Sequence, residues 1–133
     1  MNDARRERFD ALVAEAIEAL PEGLRELIDR VPVIVLDRPD AEMCGSIGAR
    51  HEEAGEICGL YSGLARTERD VSHPPELPDR VHLFRQGIAR EAGGFDGAHA
   101  DDRLYEEIAV TLLHELGHHF GLDEEDLRRL GYD

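Results

Sequence analysis

Residues 114–124 read HELGHHFGLDE, and the first five, His114-Glu115-Leu116-Gly117-His118, have the spacing H-E-x-x-H. On a helix, residues i and i+4 share a face, so His114 and His118 can bring two imidazoles to one metal ion. Glu115 then reaches a water on that ion as general base. A structural zinc takes four protein ligands, whereas a hydrolytic zinc takes three and keeps a position for water. The motif supplies two ligands, so a third must come from elsewhere in the chain. Composition alone would yield about 0.05 such motifs in a chain with this content of His and Glu, so the spacing is read as a site.

Working outward, Leu104, Ile108, Leu112, Leu116 and Phe120 repeat at helical spacing and place the motif on an amphipathic helix. Asp101 or Asp102 is its candidate cap, and Glu106 and Glu107 near the start suit the positive end of the helix dipole. Gly121 is the expected stop, because glycine takes the left-handed C′ conformation without penalty. A turn there sends the chain back towards the histidines, which puts the Glu124 carboxylate, six residues after His118, within reach.

Upstream, Phe9, Leu12, Val13, Ala16, Ile17 and Leu20 form the stripe of a helix that Asn2 or Asp3 can cap. Pro21 ends it and starts a second helix carrying Leu24, Leu27, Ile28 and Val31. The run Val33-Ile34-Val35-Leu36 predicts a short buried strand, and its lack of alternation predicts a central position in the sheet. Residues 37 to 56 lack periodicity and read as a long connection that forms part of a cleft wall. Gly59-Leu60-Tyr61-Ser62 predicts a brief strand. Beyond a connection containing Pro74, Pro75 and Pro78, Val81-His82-Leu83-Phe84-Arg85 predicts a third strand, at the sheet edge. The glycines Gly93, Gly94 and Gly97 separate it from the last helix. Neither repeats nor low-complexity tracts are present.

With 133 residues the chain is long enough for one core and short for two, so residues 1–133 are expected to form one domain. Hydrophobic residues make up 41% and charged residues 34%, the balance of a folded chain rather than a disordered tail. The net charge of −15 repels phosphate backbones and anionic lipid surfaces, so neither nucleic acid nor membrane is an expected partner. The opening MNDARRERFD has no apolar segment of the secretory kind, and no run approaches a membrane span. Cys44 and Cys58 are too few for a disulfide scaffold, and reduced thiols in a cytoplasm are the expectation.

The remaining candidate residues divide as follows. His119 is rotated by one residue from His118 and reads as a non-ligand. His82 reads as a partly exposed strand histidine, and Tyr61 as core or cleft wall. Cys44, His51 and Cys58 match no zinc finger or ribbon spacing.

HELGHHFGLDE resembles the H-E-x-x-H-x-x-G-x-x-D signature of aspzincin-type metallopeptidases, and the wider chain resembles the small zincin-like family described as mini-zincins. Besides the motif, the segments FDALVAEAIEALPEGL, GLYSG and LPDRVHLFRQGI and the closing Leu130-Gly131-Tyr132 carry the likeness. The resemblance implies an α+β fold, a minimal zincin-like metallopeptidase domain with helices packed on a small twisted sheet and an edge strand beside the active-site helix. It implies Zn²⁺ on the long helix and no methionine turn. The family's third-ligand aspartate aligns with Glu124, so the ligands are read as His114, His118 and Glu124, with Asp123 as second choice for the third. Tyr132 is a candidate for packing or for a hydroxyl near the site.

The expected function is a zinc-dependent metallopeptidase acting on a peptide or protein substrate, with Glu115 as the catalytic base. An extended substrate would add to the strand at 81 to 85. The competing expectation is a zincin-like module with little or no catalysis, which binds metal and works through an interface, as a homodimer or with a basic partner. Glu115 favours the first reading, because a structural zinc needs no general base. The altered third ligand favours the second.

Overall fold

A computed structural model describes residues 1–63 and 79–130, so the proline-bearing connection and Tyr132 lie outside the described residues. The opening stripe folds as α1 (Asp3–Glu18), burying Phe9, Leu12, Val13 and Ala16. Of its two candidate caps Asn2 serves, its Oδ1 accepting from Arg5 N–H at 2.8 Å. That bond satisfies one of the donors that every helix start leaves open. Pro21, with no N–H to satisfy, stands at the cap of α2 (Glu22–Ile28).

β1 (Val33–Leu36), β2 (Gly59–Ser62) and β3 (Arg80–Phe84) form a sheet in the order β1-β3-β2. β1 lies parallel to β3 and β2 antiparallel to it, with Val33 and Tyr61 both opposite Val81. Two expectations are corrected here. The run 33–36, expected at the centre, is an edge strand with every residue half-buried. The strand expected at 81 to 85 as an edge is the central one and ends at Phe84. The reason is that a β-branched apolar run reports which faces are covered, not whether both edges are hydrogen-bonded. His82 disguised the central strand by interrupting its apolar run, yet it is only 5% exposed and stacks on Phe84 at 6.0 Å.

The stretch 37–56 is more regular than its composition suggests, containing α3 (Ala41–Ser46) and a 3₁₀ helix (His51–Glu56). Asp40 caps α3 through Oδ1, which accepts from Met43 N–H at 2.8 Å. Six-residue elements complete at most two turns, too short for a periodic stripe to show. A further helix, α4 (Arg85–Ala92), fills what read as the end of a strand and a connection.

α5 (Ala100–His119) is the spine of the fold and packs on α1, α4 and β2. Leu104, Ile108, Leu112 and Leu116 are fully buried along one face, joining Phe9, Val13, Val81, Leu83 and Ile88 in the core. Asp101 and Asp102 lie inside the first turn rather than capping it, and His99, in the left-handed region at φ 63°, takes the cap position. Phe120 falls past the last turn and is 39% exposed instead of extending the buried face.

A polar clamp ties α1 to the end of β1 and the start of α4. Asp37 accepts from Arg6 Nη2 at 2.7 Å and from Arg85 Nη1 at 2.9 Å, while Arg85 also donates to Asp10 at 2.9 Å. The hydrogen bond from Arg6 above all, joined by that from Arg85, holds the Asp37 carboxyl below the usual carboxylate range. Among the described residues, no helix is long and apolar enough to cross a membrane.

Candidate metal centre

The last turn of α5 builds the site by its own termination. Gly121 adopts φ 80°, its N–H bonds to His118 O at 3.0 Å, and Leu122 N–H reaches back to Gly117 O at 3.2 Å. These are the two bonds of a Schellman stop, which reverses the chain at a left-handed residue. The reversal has two effects on the histidines. It places the Leu122 carbonyl 2.9 Å from His118 Nδ1. It also starts α6 (Glu124–Leu130) over the imidazoles.

Because a carbonyl only accepts, His118 carries its proton on Nδ1 and turns the lone pair of Nε2 outward. Glu124 Oε1 lies 3.0 Å from His118 Nε2 and 3.2 Å from His114 Nε2. The two rings meet edge to face at 4.9 Å between centroids. A lone pair and a carboxylate oxygen at that separation repel unless a cation or a proton lies between them. With zinc bonds of about 2.0–2.1 Å, tetrahedral ligands stand about 3.3–3.4 Å apart, so both separations from Glu124 are within a few tenths of an ångström of what a shared divalent ion requires.

The two candidates for a third ligand are placed differently. Glu124 reaches both imidazoles, whereas Asp123 caps α6, its Oδ1 accepting from Asp126 N–H at 2.8 Å. Asp126 Oδ2 returns the favour, accepting from Asp123 N–H at 3.1 Å. This reciprocal capping occupies the Asp123 carboxylate within its own turn.

Glu115 is 7% exposed, with Oε1 3.9 Å from His118 Nε2. Its ligand-type atom and those of His114 and His118 all fall within 4.8 Å of one another. Burial pushes its carboxyl above the ordinary range and Glu124 adds to the rise, while His114, His118 and a hydrogen bond from the Tyr61 backbone N–H oppose it. That N–H belongs to β2, so the end strand of the sheet holds the acidic residue of the motif. The approach is close. A Cβ on Gly59 would stand 2.8 Å from Thr111 Cγ2 and 3.0 Å from Glu115 Cγ, so glycine at 59 is what lets β2 settle on α5.

A cleft of about 600 Å³ opens over the imidazoles and is lined by Leu60, Tyr61 and Gly63 on one side and by Gly121, Leu122 and Asp123 on the other. His82, expected to be partly exposed, is buried in the central strand, and burial lowers its pKa. Cys44 and Cys58 are free thiols, and neither belongs to the clustered metal-ligand group at 114, 115 and 118 among the described residues. Burial, then Glu91, Glu107 and Glu115, pushes the Cys58 thiol up to about 11.

Sequence reasoning missed one group beside the site. His119, read only as a non-ligand, is buried, and its Nδ1 lies 2.7 Å from Asp79 Oδ2. Tyr61 OH donates to the same oxygen at 3.0 Å. A signal was present, because the residue after His118 must turn towards the core, where an imidazole needs a partner.

A family model described as zincin-like metallopeptidase matches residues 28–132, a span from the end of α2 through α6 that contains every residue of the site. No match was found among curated proteins.

Proposed function

The chain belongs to the zincin-like metallopeptidases, a family whose chemistry implies a metal, and from that premise we propose that it hydrolyses peptide bonds with zinc held by His114, His118 and Glu124. The observation that carries this reading is the meeting of both imidazole Nε2 atoms at one Glu124 oxygen, at 3.2 and 3.0 Å. Bound zinc supplies a Lewis acid that polarises the scissile carbonyl and lowers the pKa of a water to about 7.

The rest of the chemistry falls to the chain's own residues. Glu115 is the general base, accepting the proton of the attacking water and returning it to the leaving amine. Burial makes its carboxylate more basic, and the Tyr61 N–H keeps it aimed at the imidazole side. Leu122 O fixes the His118 ring, so Nε2 rather than Nδ1 is the ligand. The substrate is an extended peptide lying between β2 and the histidines, since both edges of β3 are already paired within the sheet.

One observation favours a metal-binding module with weak catalysis. The Glu124 side chain is 63% exposed, so the third ligand is the least firmly held. Zinc content and cleavage of a broad peptide library, measured on wild type and Glu115→Gln, decide between the two. We expect about one zinc per chain in both proteins and turnover reduced by about 10²–10⁴-fold in the variant. Zinc-dependent cleavage that persists at full rate in Glu115→Gln would refute the assigned base.

A further inference from the structure

The side chains of Asp79, Tyr61 and His119 form a polar cluster, buried at Asp79 and His119, that the hydrolytic scheme above leaves unused. The side chains of His119 and Asp79 are 8% and 4% exposed, and their atoms lie 2.7 Å apart. The carboxylate accepts, so His119 donates from Nδ1, and Tyr61 OH donates to the same Oδ2 at 3.0 Å. The His119 ring also meets Tyr61 edge-on at 6.1 Å. Three elements are joined here. His119 is the last residue of α5, Tyr61 lies in β2, and Asp79 immediately precedes β3. Gly63 closes the cluster from the end of β2, because a Cβ there would run into the Asp79 side chain.

We propose that His119 and Asp79 are positioning residues, which clasp β2 onto the end of α5 and thereby hold the Tyr61 N–H on Glu115. The two halves of Tyr61 act together. Its hydroxyl is tied to Asp79, and its backbone N–H is tied to the Glu115 carboxylate. His119 follows the ligand candidate His118 directly, so one helical turn presents one imidazole to the cleft and the next to the clasp. A carboxylate buried between two donors makes charge-assisted bonds, which are stronger than neutral ones and directional. They add to the ladder with β3 in fixing where β2 sits against the end of α5. This proposal rests on Glu115 being the base, but its test reads the strand rather than turnover.

The test is amide hydrogen exchange on the full chain without added metal, comparing Tyr61 with Leu112 in the buried part of α5. In Asp79→Ala, the Tyr61 amide should exchange about ten- to hundredfold faster, as expected for loss of a charge-assisted buried bond, while Leu112 keeps its wild-type rate. His119→Ala should behave in the same way. His119→Asn, whose amide nitrogen can take the place of Nδ1, should restore most of the protection. Tyr61→Phe removes only the hydroxyl and should give a smaller acceleration, and it decides the matter if Asp79→Ala does not fold. Zinc affinity of His119→Ala should remain within about threefold of wild type, because none of the proposed ligands is touched. Equal acceleration at Tyr61 and Leu112 would reduce the cluster to general stability and overturn the proposal. So would an unchanged amide rate at position 61 in Asp79→Ala or Tyr61→Phe. Failure of zinc binding in the wild type would instead strike the peptidase reading and leave the clasp standing.

Discussion

Gly59→Ala tests whether the close seating of β2 on α5 is what organises the site. The added methyl would stand 2.8 Å from Thr111 Cγ2, 3.0 Å from Glu115 Cγ and 3.1 Å from His82 O. Carbon pairs settle at about 3.5–4.0 Å, so the strand must retreat by about 0.7 Å or distort its neighbours. Thr111 is buried and β-branched, which leaves it little freedom to yield. Overpacking of this kind costs about 1–3 kcal/mol, and replacing a strand glycine returns about 0.5–1 kcal/mol of chain entropy. The net loss is about 0–2.5 kcal/mol, centred near 1 kcal/mol, or about 5 °C in Tm for a chain of this size. Urea unfolding monitored by circular dichroism measures the loss directly. Zinc stoichiometry should be unchanged, because His114, His118 and Glu124 lie on α5 and α6. Peptide cleavage should fall, because Glu115 is displaced from the Tyr61 N–H. A variant within 0.5 kcal/mol of wild type that retains full turnover would show, on this order-of-magnitude reckoning, that the contact does not constrain the site.

Other expectations follow from single contacts. Glu124→Ala should weaken zinc binding strongly, whereas Asp123→Ala should fray α6 and weaken it less, since Glu124 and not Asp123 reaches the imidazoles; competition with a chromophoric chelator ranks them, and the reverse order would exchange their roles. The depressed Asp37 carboxyl contributes stability that is complete above its ordinary pKa of 3.8 and is lost as pH falls through its lower folded value. Asp37→Asn should therefore be less stable than wild type at neutral pH and should flatten the acid limb below about pH 4, with parallel acid limbs counting against the clamp. Cys58, raised from 9.0 to about 11, should alkylate about 100-fold more slowly at pH 8 than an ordinary thiol, and iodoacetamide labelling with mass spectrometry checks this.

Much of the geometry of the candidate site was legible because its logic is local. The i, i+4 spacing of His114 and His118, the glycine stop and the reach of Glu124 all concern one helix end and the turn after it. The stripes of α1 and α5 were legible for a similar reason, since both helices are long enough to repeat a pattern. α3 and α4 were not, because short helices bearing Gly45 and Gly87 show neither length nor strong propensity. The order of the strands was hidden too. Val33–Leu36 and Arg80–Phe84 exchanged their expected places because hydrogen bonding along a strand edge leaves no mark in side-chain composition.

The sequence by itself determined the chemistry on offer: two imidazoles and a carboxylate in one helical register, followed by a left-handed turn that returns a second carboxylate to them. Local geometry suffices there, since helical rise and a Schellman stop bring those atoms together whatever surrounds them. Only the tertiary structure decided how Glu115 is held. Its burial, the Tyr61 N–H, the space left by Gly59 and the Asp79–His119 clasp come from segments far apart in the chain. Those partners meet only because α5 and the sheet share one core, and the desolvation that raises the Glu115 pKa belongs to that packing and to no single residue.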